Sequence, residues 1–338
     1  MSRGTFLDHQ LSRRRPDIDA IIDFLDLYIL HKSQFDIVAD QLDAQRDVRE
    51  LLKLGLFDAQ RVIDFHLKLH NLTSTTHSGE LIRHALQRLV EYGLIERLPK
   101  TSRGDDQFRP INASANIWSR SLAENICYSI DFLIDKYRPS IPFIEVRLKN
   151  GDLGIGTGFL LRHPSGQCFI ITNKHVAEGE QIDTILAIEA EGHAYGWTRL
   201  TLSSRFDLAA IDVTPPPGAH GFIVSRGKVL QDVIAFGYPK IAVAEKPFLM
   251  AHRGQINGNV VNKFDRNEYH AISCSVAPGN SGGPIILEHG GVVGVVVQSS
   301  EFRSASDVVG THHLAVPADS LIQFLTDEVH VGEPNTDS

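Results

Sequence analysis

The chain of 338 residues has only three cysteines, Cys127, Cys168 and Cys274. They are too few and too scattered for a disulfide framework, and no pair has the close spacing of a metal site. A reducing compartment, the cytoplasm, is the expectation. Long apolar runs are missing as well: nothing approaches the roughly 18 uninterrupted residues of a membrane-spanning helix. At the amino terminus Asp19, Asp23 and Asp26 break up the apolar stretch that follows the arginines, which is not the pattern of a signal peptide. No membrane partner is expected. Basic excess is also absent. The formal net charge is −8, with 19 basic and 20 acidic residues over 1–138 and 14 and 21 over 139–338. That balance does not supply the broad cationic face on which nonspecific nucleic-acid affinity rests. No internal repeat and no low-complexity tract is visible.

The length exceeds that of a usual single domain, and two periodicities divide it. Over residues 1–138 apolar side chains recur at helical spacing: Ile18, Ile21, Ile22, Leu25 and Ile29; Val62, Phe65 and Leu69; Leu122, Ile126, Ile130, Leu133 and Tyr137. Each set makes one buried stripe of a helix packed on its neighbours. Between them, Ser78 can cap a helix whose face is Ile82, Ala85, Leu86, Leu89 and Val90, and Gly93 stops it. "LIERL" and "QFRPI" follow as two short strands around a polar tip. Helix followed by hairpin resembles a winged-helix module over about residues 58–112. Six basic residues against five acids over 71–110 favour protein contact or a structural role there over DNA binding. Near Pro139 to Pro142 the pattern changes to alternation, as in Ile144, Val146 and Leu148. Many short strand-like runs follow, and an all-β sandwich or barrel is expected. Residues 331–338 read as a flexible tail.

Three stretches of this β-rich half carry chemistry: "GTGFLLRHPSGQCFIITNKHV", "RFDLAAIDV" and "SVAPGNSGGPII". A hydroxyl at its ordinary pKa is a poor nucleophile and needs a base beside it, and that base needs a carboxylate to hold its useful tautomer. His175, Asp207 and Ser281 supply these groups; Asp183 and Asp212 are rivals for the carboxylate. In this order and on an all-β background, "TNKHV", "DLAAI" and "GNSGGP" make residues 142–326 resemble the chymotrypsin-like serine proteases, in particular the bacterial high-temperature-requirement branch. The resemblance implies a double β-barrel with Ser281 as nucleophile, His175 as general base and Asp207 as its orienting carboxylate. It further implies an oxyanion hole from the N–H groups of Gly279 and Ser281, and a specificity pocket lined by Ser275, Val297 and Ser299. Ser275 has no carboxylate to select Arg or Lys, so an uncharged residue before the cut is expected. In trypsin-type zymogens a freed amino terminus pairs with an Asp at the position of Asn280, and Asn280 has no charge to offer. Activation is therefore expected to come from a partner or from the helical half.

No cofactor is implied. "HLKLH" puts His66 and His70 four apart on a helix, but neither a third ligand nor "HExxH" accompanies them, so no metal is expected. The sequence thus predicts a multidomain chain. Residues 1–138 form a helical regulatory domain with a winged-helix-like unit, residues 139–330 an all-β trypsin-like serine protease domain, and the whole acts on a protein or peptide substrate with a regulatory protein partner. Two other readings stay open: a DNA-binding regulator with a cis-acting protease domain, and a catalytically inactive binding scaffold.

Overall fold

In the computed structural model, residues 11–30, 55–69, 79–99, 106–111, 118–163, 165–179, 182–241, 244–304 and 307–329 are described. The expected tail at 331–338, the Ser78 cap and His70 lie outside them, as do the side chains of His66 and Ser299. The chain divides into two compact units, Met1–Leu133 and Ile134–Ser338.

The first unit is helical. Helices α1 (Pro16–Leu30), α2 (Ala59–Leu69), α3 (Gly79–Glu91) and α4 (Arg120–Cys127) precede α5 (Ile130–Tyr137), and strands β1 (Ile95–Leu98) and β2 (Gln107–Pro110) form one antiparallel hairpin between α3 and α4. Ile18, Ile21, Ile22, Leu25, Ile82, Ala85, Leu86 and Leu89 are buried, as their spacing requires. Gly93 ends α3 at φ +70, with the Leu94 N–H returning to the Leu89 carbonyl at 3.0 Å. The stripe from Leu122 to Tyr137 is broken where the sequence shows no break, because Tyr128 turns extended (φ −93, ψ 164). Its buried hydroxyl donates to Asp19 at 2.8 Å, and the Ser129 N–H donates to the Leu11 carbonyl at 3.2 Å. Tertiary hydrogen bonds here outweigh helical continuity. Tyr137, at the end of α5 and already within the second unit, stacks on Phe222 with ring centroids 4.1 Å apart.

The second unit is rich in β-strands. Strands β3 (Phe143–Leu148), β4 (Leu153–Thr157), β5 (Phe159–Arg162) and β6 (Cys168–Thr172) lead to the short helix α6 (Lys174–Ala177). Then come β7 (Ile182–Ala190), β8 (His193–Ala194), β9 (Gly196–Leu202) and β10 (Ala209–Thr214). These strands make two four-stranded sheets, β5-β6-β10-β9 and β4-β3-β7-β8, that face each other as a first, open barrel around one core that includes Ile144, Leu160, Ile170, Ile188 and Ile211. Each such side chain, fully buried, contributes on the order of 1.5–3 kcal/mol.

The chain continues through β11 (Ile223–Val224), β12 (Asp232–Gly237), β13 (Met250–Val261), β14 (Glu268–Ile272), β15 (Pro284–Ile286), β16 (Gly291–Ser304) and β17 (Asp307–Pro317) to helix α7 (Ala318–Asp327). The order β16-β15-β12-β13-β14-β17 closes through β16 on β17, a six-stranded antiparallel barrel with β11 added in parallel to β16. Val233, Ala235, Ile256, Ile272, Ile285 and Val296 fill it. Closure leaves the barrel without free strand edges.

Candidate active site

His175 sits in α6, on the connection that leaves β6. Asp207 ends the loop that enters β10, and both belong to the first barrel. The pair is tightly made: His175 Nδ1 and Asp207 Oδ2 are 2.7 Å apart, and the His175 backbone N–H donates to Asp207 Oδ1 at 3.0 Å. A carboxylate only accepts, so Nδ1 carries the proton and Nε2 keeps a lone pair. The imidazole is 46% exposed and the carboxylate 23%, so the base is open to a substrate while its anchor is sheltered.

The surroundings hold the same loop from three sides. Asn173 Nδ2 donates to the Asp207 carbonyl at 2.9 Å, and Lys174 Nζ donates to the Ser203 carbonyl at 3.1 Å. Beyond α7, Glu328 accepts from Ser203 Oγ at 2.8 Å and from the Ser204 N–H at 2.7 Å. Burial raises the Glu328 pKa, but these two donors and the charge of Lys174 outweigh it and hold the carboxyl below its ordinary value. The rival carboxylates lie elsewhere. Asp212 Oδ2 is engaged by Arg199 at 3.1 Å and Gln167 at 3.1 Å within the first barrel, and Asp183 is exposed on β7.

Ser281 comes from the second barrel, on the turn between β14 and β15. Gly282 seats that turn: at φ +85, a Cβ there would lie 2.1 Å from the Thr157 carbonyl and 2.2 Å from Thr172 Oγ1. Only glycine permits this approach, which brings the serine turn against the first barrel beside Asn173, two residues before His175. Ser281 Oγ donates to the Val297 carbonyl at 2.8 Å, and among the described residues no hydrogen bond joins it to His175. The serine hydroxyl is thus turned toward β16.

Around it the backbone amides alternate. The Asn280 N–H donates to the Ala277 carbonyl at 3.0 Å, Gly282 to Val296 at 2.9 Å and Gly283 to Asn280 at 2.9 Å. The N–H groups of Gly279 and Ser281 have no acceptor among the described residues. Gly279 takes φ +103, and the Pro278 carbonyl is held by the Lys240 N–H at 2.9 Å. Since a trans peptide opposes its C=O and N–H, this turns the Gly279 N–H to the other side. Two uncommitted donors two positions apart, next to a hydroxyl, can stabilise a developing oxyanion.

Of the residues expected to line a specificity pocket, Ser275 is exposed on the loop before Gly279. Val297 is buried in β16, and its carbonyl rather than its side chain reaches Ser281. Ser299 pairs with His313 in the β16–β17 ladder. Sequence reasoning passed over Thr157, Thr172, Asn173, Lys174, Ser203 and Glu328. The first four lie inside the quoted motifs, but nothing in a single sequence marks their hydrogen bonds, and Glu328 is more than a hundred positions from the loop it holds.

Residues 156–295 match the family model of the trypsin-like peptidase domain. The chain is 32% identical over 183 residues to the uncharacterized protein y4bJ of Sinorhizobium fredii, which covers 50% of this chain and 26% of that protein. It is 26% identical over 206 residues to serine protease HTRA4 of Homo sapiens, covering 58% of this chain and 40% of that protein. Among solved structures, the Rv3671c protease of M. tuberculosis in its active form is similar with a TM-score of 0.47 and 21% identity, over 59% of this chain and 85% of that chain. The chain thus spans less than half the length of these two curated relatives.

Proposed function

We propose that this chain, whose residues 156–295 form a trypsin-like peptidase domain related to the HtrA-type serine proteases, is a serine endopeptidase acting by acyl transfer on protein or peptide substrates. The observation that carries the reading is the pairing of an imidazole held by a carboxylate at 2.7 Å with the uncommitted N–H groups of Gly279 and Ser281.

For attack, the Ser281 hydroxyl turns from the Val297 carbonyl to His175 Nε2. The imidazole takes its proton as Oγ bonds to the substrate carbonyl carbon, and the carbonyl oxygen becomes an oxyanion facing the N–H groups of Gly279 and Ser281. Asp207 stays ionised and steadies the imidazolium. As the C–N bond breaks, His175 returns the proton to the leaving amine. Water, deprotonated by the same imidazole, then releases the acyl group. Ser275 and the β16 backbone at Val297 and Ser299 border the substrate side in this reading, and with no carboxylate at Ser275 an uncharged residue before the cut suits them.

The helical unit serves regulation by a protein partner. Helix α3 followed by the β1–β2 hairpin supports a winged-helix-like unit, and on its two strands Arg97 is paired with Asp106 and Arg109 with Glu96. Pairing of these two cations favours a protein surface over a phosphate backbone. Three buried free cysteines agree with a cytoplasmic setting. The test is hydrolysis of fluorescein-labelled casein by wild type and Ser281→Ala: activity in the wild type that vanishes in the variant supports the reading, and equal rates overturn it.

A further inference from the structure

Thr157, the last residue of β4, is fully buried and uses every hydrogen-bonding group it has. Its N–H donates to the Ser281 carbonyl at 2.8 Å. Its hydroxyl donates to the Gly279 carbonyl at 2.7 Å and accepts from the Tyr238 N–H at 3.0 Å. Its own carbonyl accepts from Thr172 Oγ1 at 2.7 Å. One side chain and its backbone thus hold the carbonyls of both residues whose N–H groups stay uncommitted.

We propose that Thr157 is the positioning residue of the oxyanion hole, a role that rests on the proposed acyl-transfer chemistry. Peptide groups are rigid planes, so a fixed carbonyl fixes the plane's opposite face. Thr157 pins the 279–280 and 281–282 peptides, and the 280–281 peptide between them is pinned by its own carbonyl through the Gly283 N–H at 2.9 Å. The Ser281 N–H, carried by that middle peptide, has one direction left. Holding the Gly279 carbonyl likewise sets ψ at a residue whose φ of +103 gives it unusual backbone freedom. The Tyr238 N–H makes the hydroxyl a relay: because that N–H occupies the oxygen's acceptor side, the proton is directed to Gly279. A side chain from the first barrel thereby sets the geometry of donors in the second, and the hole forms only when the barrels are in register.

The test compares wild type with Thr157→Val, which keeps the shape and removes the hydroxyl, and Thr157→Ser, which restores it. Casein hydrolysis gives kcat and KM, and a fluorophosphonate probe gives the labelling rate of Ser281. Thr157→Val is expected to lose about 10- to 100-fold in kcat with KM within about twofold, less than the 100–1000-fold typical of a donor removed outright. Thr157→Ser is expected to recover most of the loss. A Thr157→Val protein that melts cooperatively and keeps wild-type kcat overturns the role, as does an equal loss in Thr157→Ser. Should Thr157→Val fail to fold, Thr157→Cys, with its weaker donor, takes its place: an intermediate kcat supports the role, and a wild-type kcat overturns it. An inactive wild type would instead overturn the acyl-transfer reading itself.

Discussion

Asp207→Asn is the perturbation whose outcome the geometry defines most closely. The carboxylate makes two different bonds, Oδ1 to the His175 backbone N–H at 3.0 Å and Oδ2 to Nδ1 at 2.7 Å. An amide is not symmetric. The backbone N–H can only donate, so the amide oxygen must stay at the Oδ1 position, which puts the NH₂ against Nδ1. The imidazole then accepts at Nδ1, carries its proton on Nε2, and cannot take one from Ser281. Reversing the amide restores the tautomer but leaves two N–H groups facing each other without an acceptor, a cost of about 1–3 kcal/mol. That restricts the productive form to roughly a fifth to less than a hundredth of the molecules. Losing the charge that steadies the imidazolium adds to this, and the expected fall in kcat/KM is about 10³–10⁴-fold, or about 4–5.5 kcal/mol of barrier. Casein hydrolysis and fluorophosphonate labelling both measure it, with the melting temperature as control. If Asp207→Asn kept more than a tenth of wild-type kcat/KM, or if Asp212→Asn fell as far, the assigned carboxylate would be wrong.

Two further predictions concern stability. Glu191 and Gly192 form the two-residue turn of the β7–β8 hairpin, both with positive φ (50 and 76). Such turns prefer Asn-Gly, so Glu191→Asn should stabilise the protein by about 0.5–1 kcal/mol in urea titration. The contact to Arg138 at 3.8 Å is exposed, and its loss should cost little; a lower urea midpoint would refute the turn assignment. His270 is buried in β14 with Nδ1 at 2.9 Å from Asn259 Oδ1; burial lowers its pKa, against the weaker pull of Glu268 and Asp319. The unfolded chain therefore binds the proton more readily, and stability falls as pH drops below the ordinary histidine value of about 6.5 toward the lowered one. Urea titration of wild type and His270→Gln from pH 7 to pH 5 should show a steeper loss in the wild type, and parallel curves would remove His270 from this role.

Much of the architecture is legible in the sequence because period and punctuation are local. Ile82 to Val90 announce α3, Gly93 its end, and Ile144, Val146 and Leu148 the first strand of the barrels. The serine turn is legible because glycine is informative where backbone must approach backbone: Gly279 and Gly282 mark it through conformations that other residues resist. What is not legible is long-range. The break at Tyr128 depends on Asp19 and Leu11, the clasp on the Asp207 loop depends on Glu328, and the Thr157 bridge joins residues 122 positions apart. The orientation of the Ser281 hydroxyl belongs to the same class, since it is set by the Val297 carbonyl on a distant strand.

The most direct measurement is to treat the full chain with a fluorophosphonate, digest it and locate the adduct by mass spectrometry. A single phosphonylated residue at Ser281, absent from Ser281→Ala and slowed about a thousandfold or more in His175→Ala, is the predicted result. Labelling spread over several serines, or labelling of Ser281 that persists at full rate without the imidazole, would contradict it.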